Sequence, residues 1–180
     1  MDKTPSVFLG LRRGTVELLP HQAEWETEAA RTIEKLKSVL GGTAVDIQHV
    51  GSTAIRTIDA KPIIDIAVAV NKIDDVLPFV DVLQAEGIVF RKQDVEGQLL
   101  FVMGDFENEI RTHHIHVVEA SGKAWRDYIF FRDRLNACPD LAAEYNALKH
   151  DLARYFPNDR ESYTRGKAEF IANIILQTEN

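Results

Sequence analysis

Hydrophobic positions recur with a helical period near the start of the chain and then change to strand-like patterns. Between residues 20 and 40 the apolar side chains lie three or four positions apart, which is the spacing of one helix face, and Gly41-Gly42 ends the pattern. The apolar positions of this predicted helix are Trp25, Ala29, Ile33, Leu36 and Leu40. Residues 45–50 alternate between apolar and polar side chains, which predicts a strand. The run over residues 62–70 is nearly all apolar and β-branched, which predicts a central strand covered on both faces.

The rest of the chain predicts a second helix, further strands and a helical C-terminal part. Asp74 is expected to cap a helix that ends at Gly87. Strands are expected at residues 88–91 and 99–103 around a turn at Asp94 to Gly97, and at residues 111–118 after an acidic loop. The C-terminal helices are expected at residues 123–137, 140–155 and 159–177.

This order of elements predicts an α+β fold. We expect a mixed β-sheet core with an N-terminal helix and a C-terminal layer of three helices. The length of 180 residues suits one domain. We expect residues 1–15 to form a loosely ordered N-terminal segment and residues 16–177 to form the single domain.

Composition and charge narrow the class of protein. A content of 45% hydrophobic and 27% charged residues is typical of a soluble globular protein. No run reaches the roughly 18 apolar residues of a membrane-spanning helix, and the start lacks the apolar stretch of a secretory signal, so we expect a cytoplasmic protein with no membrane partner. The net charge of −7 argues against extended nucleic-acid binding but leaves room for a local basic pocket.

Gly51-Ser52 directly follows the first predicted strand of the core. A small turn of this kind lets backbone N–H groups and a hydroxyl approach a phosphate without interference from a Cβ atom. Any strand-to-loop turn uses the same residues, so Gly-Ser taken alone indicates no more than a turn.

Asp65 is an acidic residue inside the apolar central strand. A buried carboxylate must be hydrogen-bonded, paired or bound to a cation, because its desolvation is costly. Alternation places Ile63, Asp65 and Ala67 on one face of the strand, away from the more continuous apolar face. Lys61 is a candidate salt-bridge partner, and this structural role competes with a role in cation binding.

His114 and His116 share one face of a later predicted strand. Two imidazoles at this spacing can bind one metal ion, although hydrogen-bonded structural histidines are the more common outcome. Asp65 on a neighbouring strand would favour the metal site.

Several ordered motifs closely resemble the GrpB family. They are residues 49–55 (HVGSTAI), 61–66 (KPIIDI), 114–118 (HIHVV), Phe131-Arg132-Asp133 with Leu135, and Tyr163-Thr164 with Lys167 and Phe170-Ile171. The resemblance extends over nearly the whole chain, from about residue 16 to residue 176. It implies a nucleotidyltransferase-like fold without a settled reaction, and it singles out Arg132 and Lys167 among the C-terminal cations as candidate phosphate contacts.

The resemblance also implies a comparison with nucleotidyltransferases that use two metal ions. These enzymes have a Gly-Ser turn, then two acidic residues separated by one on a strand, then a third acid nearby. Gly51, Ser52 and Asp65 match this pattern, whereas Ala67 stands at the second acidic position. The third acidic position is taken by His114 or His116, and such a mixed oxygen and nitrogen site suits Zn²⁺, Mn²⁺ or Fe²⁺ better than Mg²⁺.

Three functional hypotheses follow from these residues. The first is a nucleotidyltransferase-like enzyme that acts on a nucleotide or another phosphorylated small molecule. The second is a regulatory domain that binds a nucleotide in a degenerate site without turning it over. The third is a metal-dependent hydrolase or transferase that uses Asp65 and the strand histidines. The catalytic candidates are Asp65 and Ser52, the candidate ligand contacts are Gly51, Ser52, Lys61, Arg132 and Lys167, and the candidate ligands of a divalent cation (Mg²⁺, Mn²⁺ or Zn²⁺) are Asp65, His114 and His116.

Overall fold

A computed structural model describes residues 9–91 and 97–178 of the chain. Its core is a five-stranded mixed sheet made of β2 (Ala44–Val50), β3 (Ile64–Val70), β4 (Val89–Arg91), β5 (Leu99–Met103) and β7 (His113–Glu119). The strand order is β2-β3-β7-β5-β4. β3 and β7 are parallel, and the other neighbouring strands are antiparallel. The short strands β1 (Leu11–Arg12) and β6 (Ile110–Arg111) pair with each other beside this sheet.

One face of the sheet is covered by the N-terminal helix α1 (Glu24–Leu40). The apolar stripe predicted for this helix is buried except for Ile33, which is partly buried, and Trp25 is fully inaccessible to solvent. It packs against alternate residues of the central strand, which are Ile64, Ile66, Val68 and Val70. The predicted helix and the predicted central strand therefore meet in the main apolar core.

The opposite face of the sheet meets the C-terminal helices. These are α3 (Lys123–Ala137), α4 (Pro139–Tyr155), α5 (Arg160–Gly166) and α6 (Ala168–Ile175). α3 contacts β2, β3 and β7, and a second apolar cluster joins α3, α4 and α6 around Phe131, Leu135 and Tyr145. The predicted α+β class, with an N-terminal helix and a C-terminal helical layer, is confirmed.

Several predicted boundaries differ from the structure. Asp74 does not cap the helix expected after it, because it lies in the first turn of a 3₁₀ helix (Ile73–Phe79) whose N-cap position, Lys72, makes no side-chain hydrogen bond. The chain continues as the short α2 (Val80–Ala85). Pro78 disfavours an α-helix in this segment, because its ring would clash with the carbonyl group of the residue four positions earlier. The last predicted helix divides at Lys167 into α5 and α6.

The strand predicted at residues 111–118 also divides in two. Residues 110–111 pair with β1, and residues 113–119 enter the main sheet. Residues 94–96 of the predicted turn, and residues 1–8 of the predicted N-terminal segment, lie outside the described residues. No helix in the described ranges is both long enough and apolar enough to cross a membrane.

Candidate functional site

The candidate site lies on the face of the sheet that α1 does not cover. In the parallel pair of β3 and β7, Asp65 stands opposite His114, and Ala67 stands opposite His116. Residues opposite one another in a ladder project to the same face, so all four side chains belong to one surface. Val50, the last residue of β2, pairs with Asp65 and places the Gly51-Ser52 turn at the same end of the sheet.

Position 51 requires glycine, because Asp65 lies too close to the backbone for a side chain to fit. The backbone of Gly51 has a φ of +71°, and a Cβ atom added at this position would lie 2.5 Å from Asp65 Oδ2 and 2.8 Å from Asp65 Cβ. A side chain would therefore be both strained and in steric conflict with the carboxylate. The sequence predicted a small residue here for phosphate approach, and the structure adds the close approach of Asp65.

Ser52 opens a 3₁₀ turn (Ser52–Ala54) and faces the C-terminal helices. Its side chain hydrogen bonds with the buried hydroxyl of Tyr145, whose pKa burial raises to about 12 in spite of this bond. The turn is also held by a 2.9 Å hydrogen bond between His49 Nε2 and Thr53 Oγ1. Ser52 is thus fixed between the sheet and α4.

A chain of hydrogen bonds runs from Arg160 through His114 to Asp65. Arg160 Nη2 lies 3.1 Å from His114 Nε2, and His114 Nδ1 lies 3.2 Å from Asp65 Oδ1. A guanidinium can only donate, so Nε2 accepts and the proton of the neutral imidazole is on Nδ1. His114 therefore donates to Asp65, in agreement with a pKa of His114 that burial lowers.

Asp65 is held as an anion by its histidine neighbours. Burial raises the pKa of its carboxyl group, but the hydrogen bond from His114 and the nearby His116 together outweigh burial and bring the pKa below its ordinary value. Its side chain is 29% exposed, so the carboxylate still reaches the cavity. His116 Nε2 lies 3.7 Å from Asp65 Oδ1, and the His116 ring packs on Tyr128 with 5.3 Å between centroids.

These side chains do not form a ready three-ligand metal site. Both nitrogens of His114 are already engaged, one with Arg160 and one with Asp65. Within the described ranges, no group of three His, Cys, Asp or Glu side chains has an arrangement that could hold a metal ion. Ala67 is fully buried and offers no ligand atom, so the face lacks the paired carboxylates of a two-cation site.

Cations surround Asp65 on the side of α5. Lys61 Nζ and Lys167 Nζ lie 4.9 Å and 4.7 Å from the ring centroid of the buried Tyr163. Burial, Lys167 and Arg160 lower the pKa of Lys61 to about 7. Burial lowers the pKa of Lys167 to about 8, against the raising effect of Asp65. The site therefore concentrates positive charge next to one carboxylate.

The ion partners of Asp65 differ from the salt bridge suggested by sequence spacing. Among the described residues, the basic side chains within 4.0 Å of its carboxylate are His114 and His116. Lys61 instead lies over Tyr163 and interacts with Asp65 over a longer distance. Lys61 is therefore part of the cationic group beside the carboxylate.

Two adjoining cavities contain these residues. The smaller has a volume of about 180 Å³, and its wall includes Lys61, His114 and Arg160. The larger has a volume of about 880 Å³ and extends between the sheet and the helices. Both are lined by Ser52, Asp65, His116, Thr164 and Lys167. The two cavities thus form one cleft with a shared wall, and Gly51 lines its larger part.

Arg132 is the predicted ligand contact that the structure does not bring to this cleft. Its Nη1 donates to the backbone oxygen of His49 at 2.9 Å and to Gln48 Oε1 at 3.0 Å. Arg132 therefore joins α3 to β2 on the side of a different cavity.

Arg160 is the residue that sequence reasoning missed. It begins α5 directly after the capping residue Asp159, whose side chain accepts from Ser162 N at 3.0 Å. The capping pattern predicts where the helix starts, but it does not predict that the first residue of the helix, Arg160, contacts β7. Arg160 reaches His114 only because α5 packs across the end of the sheet.

The sheet and helices define a nucleotidyltransferase-like fold. The structure of Cid1 in a complex with its short product ApU matches with a TM-score of 0.54, covering 75% of this chain and 42% of that chain. The sequence identity is 14%, so this likeness concerns the fold alone.

Within this class, the chain belongs to the GrpB family. A family model described as GrpB protein matches residues 15–177. The glutamate-rich protein GrpB of Alkalihalophilus pseudofirmus is 39% identical over 171 residues, which cover 93% of this chain and 98% of that protein. The crystal structure of GrpB from Enterococcus faecalis matches with a TM-score of 0.81 at 26% identity, covering 89% of this chain and 96% of that chain. The predicted family resemblance is confirmed.

Proposed function

We propose that this protein binds a nucleotide or another phosphorylated small molecule in the cleft, with phosphate groups beside Lys61, Arg160 and Lys167. The observation that carries the proposal is the gathering of these cations in one small cavity of a chain whose net charge is −7. Partly buried cations that face one another repel, and a multivalent anion between them relieves that repulsion. Phosphate is the common biological anion of this valence, and Arg160 suits it through its planar set of donors.

The larger cavity suits the remainder of such a ligand. Its walls include the aromatic side chains of Tyr128, Phe131 and Tyr145 and the aliphatic side chain of Ile171. Its volume of about 880 Å³ is in the range of small-molecule sites. A base or another apolar group would pack there while the phosphates extend into the smaller cavity past Ser52.

Binding without ordinary nucleotidyl transfer is the function that the residues favour. Transfer by two Mg²⁺ ions requires bridging carboxylates, and Ala67 stands where the second would be. The metal-dependent hydrolase hypothesis has less support than anion binding, because Nδ1 of His114 donates to Asp65 and its Nε2 accepts from Arg160, so both imidazole nitrogens are engaged.

Titration calorimetry with a panel of nucleoside triphosphates tests the binding proposal. We expect Lys61→Met and Arg160→Met to weaken binding by about tenfold or more, since a charge-assisted contact contributes about 1.5–3 kcal/mol. Lys72→Met is the matched control, because Lys72 is exposed and outside both cavities. Equal affinities of the Lys61 variant, the Arg160 variant and the control would place the ligand elsewhere, and absence of binding to the wild type would overturn the proposal.

A turnover assay separates a binding protein from a transferase. The wild-type protein, Asp65→Asn and Ala67→Asp are incubated with nucleoside triphosphates and acceptors in the presence of Mg²⁺ or Mn²⁺. We expect little Mg²⁺-dependent transfer by the wild type, because Ala67 replaces the second carboxylate and leaves too little negative charge and too few oxygen ligands for two Mg²⁺ ions. Robust wild-type transfer that disappears in Asp65→Asn would show that the protein is a catalyst.

A further inference from the structure

Two lysine amines share one buried aromatic ring in the smaller cavity. Lys61 Nζ and Lys167 Nζ are 4.9 Å and 4.7 Å from the ring centroid of Tyr163, which is 1% exposed. Arg160 lines the same cavity of about 180 Å³. Three basic groups are thus confined in a small volume, and the guanidinium of Arg160 keeps its charge under all ordinary conditions.

This confinement favours deprotonation of the lysine that has the lowest pKa. Loss of a proton by one lysine lowers both the desolvation cost and the repulsion from the other two cations. Burial followed by the charges of Lys167 and Arg160 brings the pKa of Lys61 to about 7. A large share of Lys61 is then the free amine near neutral pH, and a lysine beside another cation is a recognised arrangement for nucleophilic attack on a carbonyl group.

We propose that Lys61 forms an imine with a small aldehyde or ketone that carries a phosphate group. The inference rests on the proposed anion site, because Arg160 and Lys167 would hold the phosphate while the carbonyl carbon meets Lys61 Nζ. It adds a covalent activity and a substrate class to that site.

The reaction needs no oxidant or further reactant. The lone pair of Lys61 Nζ attacks the carbonyl carbon, a C–N bond forms, and the carbonyl π electrons pass to the oxygen, which takes a proton. The C–O bond of this carbinolamine then breaks, and its oxygen leaves as water with a second proton. The net change is amine plus carbonyl compound to imine plus water, and the two protons of the water are those lost from nitrogen.

An imidazole that can transfer these protons lines the same wall. His116 is 23% exposed, and its Nε2 lies 3.7 Å from Asp65 Oδ1. Both residues line the cavity that contains Lys61. His116 can exchange a proton with the reacting oxygen directly or through one water molecule, while the anionic Asp65 orients the imidazole.

Lys61 is a better nucleophile than the other lysines near it. The charge of Asp65 favours the ammonium form of both lysines, but at Lys61 the charges of Lys167 and Arg160 have the larger effect. At Lys167 the effect of Asp65 exceeds that of Arg160, and the pKa stays higher, at about 8. Lys149 also has a pKa lowered to about 7, chiefly by burial, but it is inaccessible to solvent and donates to the backbone oxygen of Asp59. It lines neither cavity of the cleft. Lys149 is therefore an internal control for the effect of a lowered pKa without access to the cavity.

Pyridoxal 5′-phosphate is a suitable probe, because it combines an aldehyde with a phosphate and its imine absorbs visible light. The full chain is incubated with the probe, reduced with borohydride and digested, and the modified lysine is identified by mass spectrometry. We expect modification mainly at Lys61, loss of the imine band in Lys61→Arg, and at least tenfold weaker reaction with pyridoxal, which lacks the phosphate. Lys149 should stay unmodified in the same digest.

Two outcomes separate this inference from the proposed function. Modification scattered over exposed lysines, or an unchanged imine band in Lys61→Arg, would overturn the inference even if nucleoside triphosphates bind in the cleft. If Lys61 is modified selectively but reacts equally fast with pyridoxal, its role as the nucleophile would be supported and the phosphate site would be overturned. Competition by a nucleoside triphosphate against the probe would support both.

Discussion

Asp65 is the residue whose surroundings define the site. Its Oδ1 meets His114 and His116, and its Oδ2 lies where a side chain on Gly51 would be. Arg160 donates to Nε2 of His114, which places the imidazole proton on Nδ1, and this N–H donates to the carboxylate of Asp65. A single acidic residue is thus kept ionised among cations by neighbours from several elements.

Replacement of Gly51 by alanine tests this close packing. Positive φ and contact with Asp65 should together lower the free energy of unfolding by roughly 1–3 kcal/mol, as expected for a strained backbone position. The measurement is urea denaturation of Gly51→Ala beside Gly42→Ala. Gly42 has open space around it and no positive φ, so its variant should change little. Equal stabilities of the two variants would contradict the required close approach.

Different helices cover the two faces of the sheet. α1 covers the apolar face and supplies the fully buried Trp25, whereas α3 to α6 cover the face that carries Asp65. The larger apolar core therefore lies on one side of the sheet, and the candidate site lies on the other.

Leu36→Ala tests whether the apolar core beneath α1 can be weakened without a change in ligand binding at the cleft. Leu36 is 1% exposed in the core beneath α1, so its truncation should lower the free energy of unfolding by about 2–5 kcal/mol. Lys37→Ala, at an exposed position on the same helix, should cost less than about 0.5 kcal/mol. Below the unfolding transition, both variants should bind nucleoside triphosphates like the wild type. A large loss of affinity in folded Leu36→Ala would show that α1 shapes the cleft.

At the scale of the whole molecule, an acidic protein carries a cationic cleft. The net charge is −7, yet Lys61, Arg160 and Lys167 meet in one cavity. The net negative charge disfavours long polyanions, whereas the proposed ligand of the cleft is one small anion. The charge of the cleft also varies near neutral pH, because burial and mutual repulsion lower the pKa of Lys61 to about 7 and that of Lys167 to about 8.

Anion affinity should therefore fall as the pH rises from about 7 to 9. A bound phosphate favours the charged ammonium, so binding takes up protons in this range, and deprotonation weakens it by up to about tenfold per pH unit for each lysine. The phosphate itself is fully ionised above about pH 7.5 and contributes no opposing trend. Calorimetry in two buffers with different ionisation enthalpies measures the proton uptake, and Lys61→Arg should reduce it. A dissociation constant independent of pH would contradict the lowered lysine pKa values.

Local sequence patterns determined the elements and the family of this protein. The helical spacing from Trp25 to Leu40 and the apolar run ending at Val70 appear in the structure as α1 and β3, because each pattern reflects a side-chain period that belongs to one kind of backbone. The alternation around Asp65 also predicted the polar face correctly. The spacing of two positions within one strand was sufficient to predict that His114 and His116 share a face.

Only the tertiary structure decided which residues complete the site. Parallel pairing of β3 with β7 brings His114 beside Asp65 across 49 positions, and the packing of α5 brings Arg160 to His114 across 46. The same packing takes Lys61 to Tyr163 and leaves Arg132 beside β2, in the wall of a different cavity. Such contacts depend on strand order and helix orientation, which many residues fix together, and no local period encodes them. The sequence thus specified the groups that carry charge, and the fold decided which of them meet.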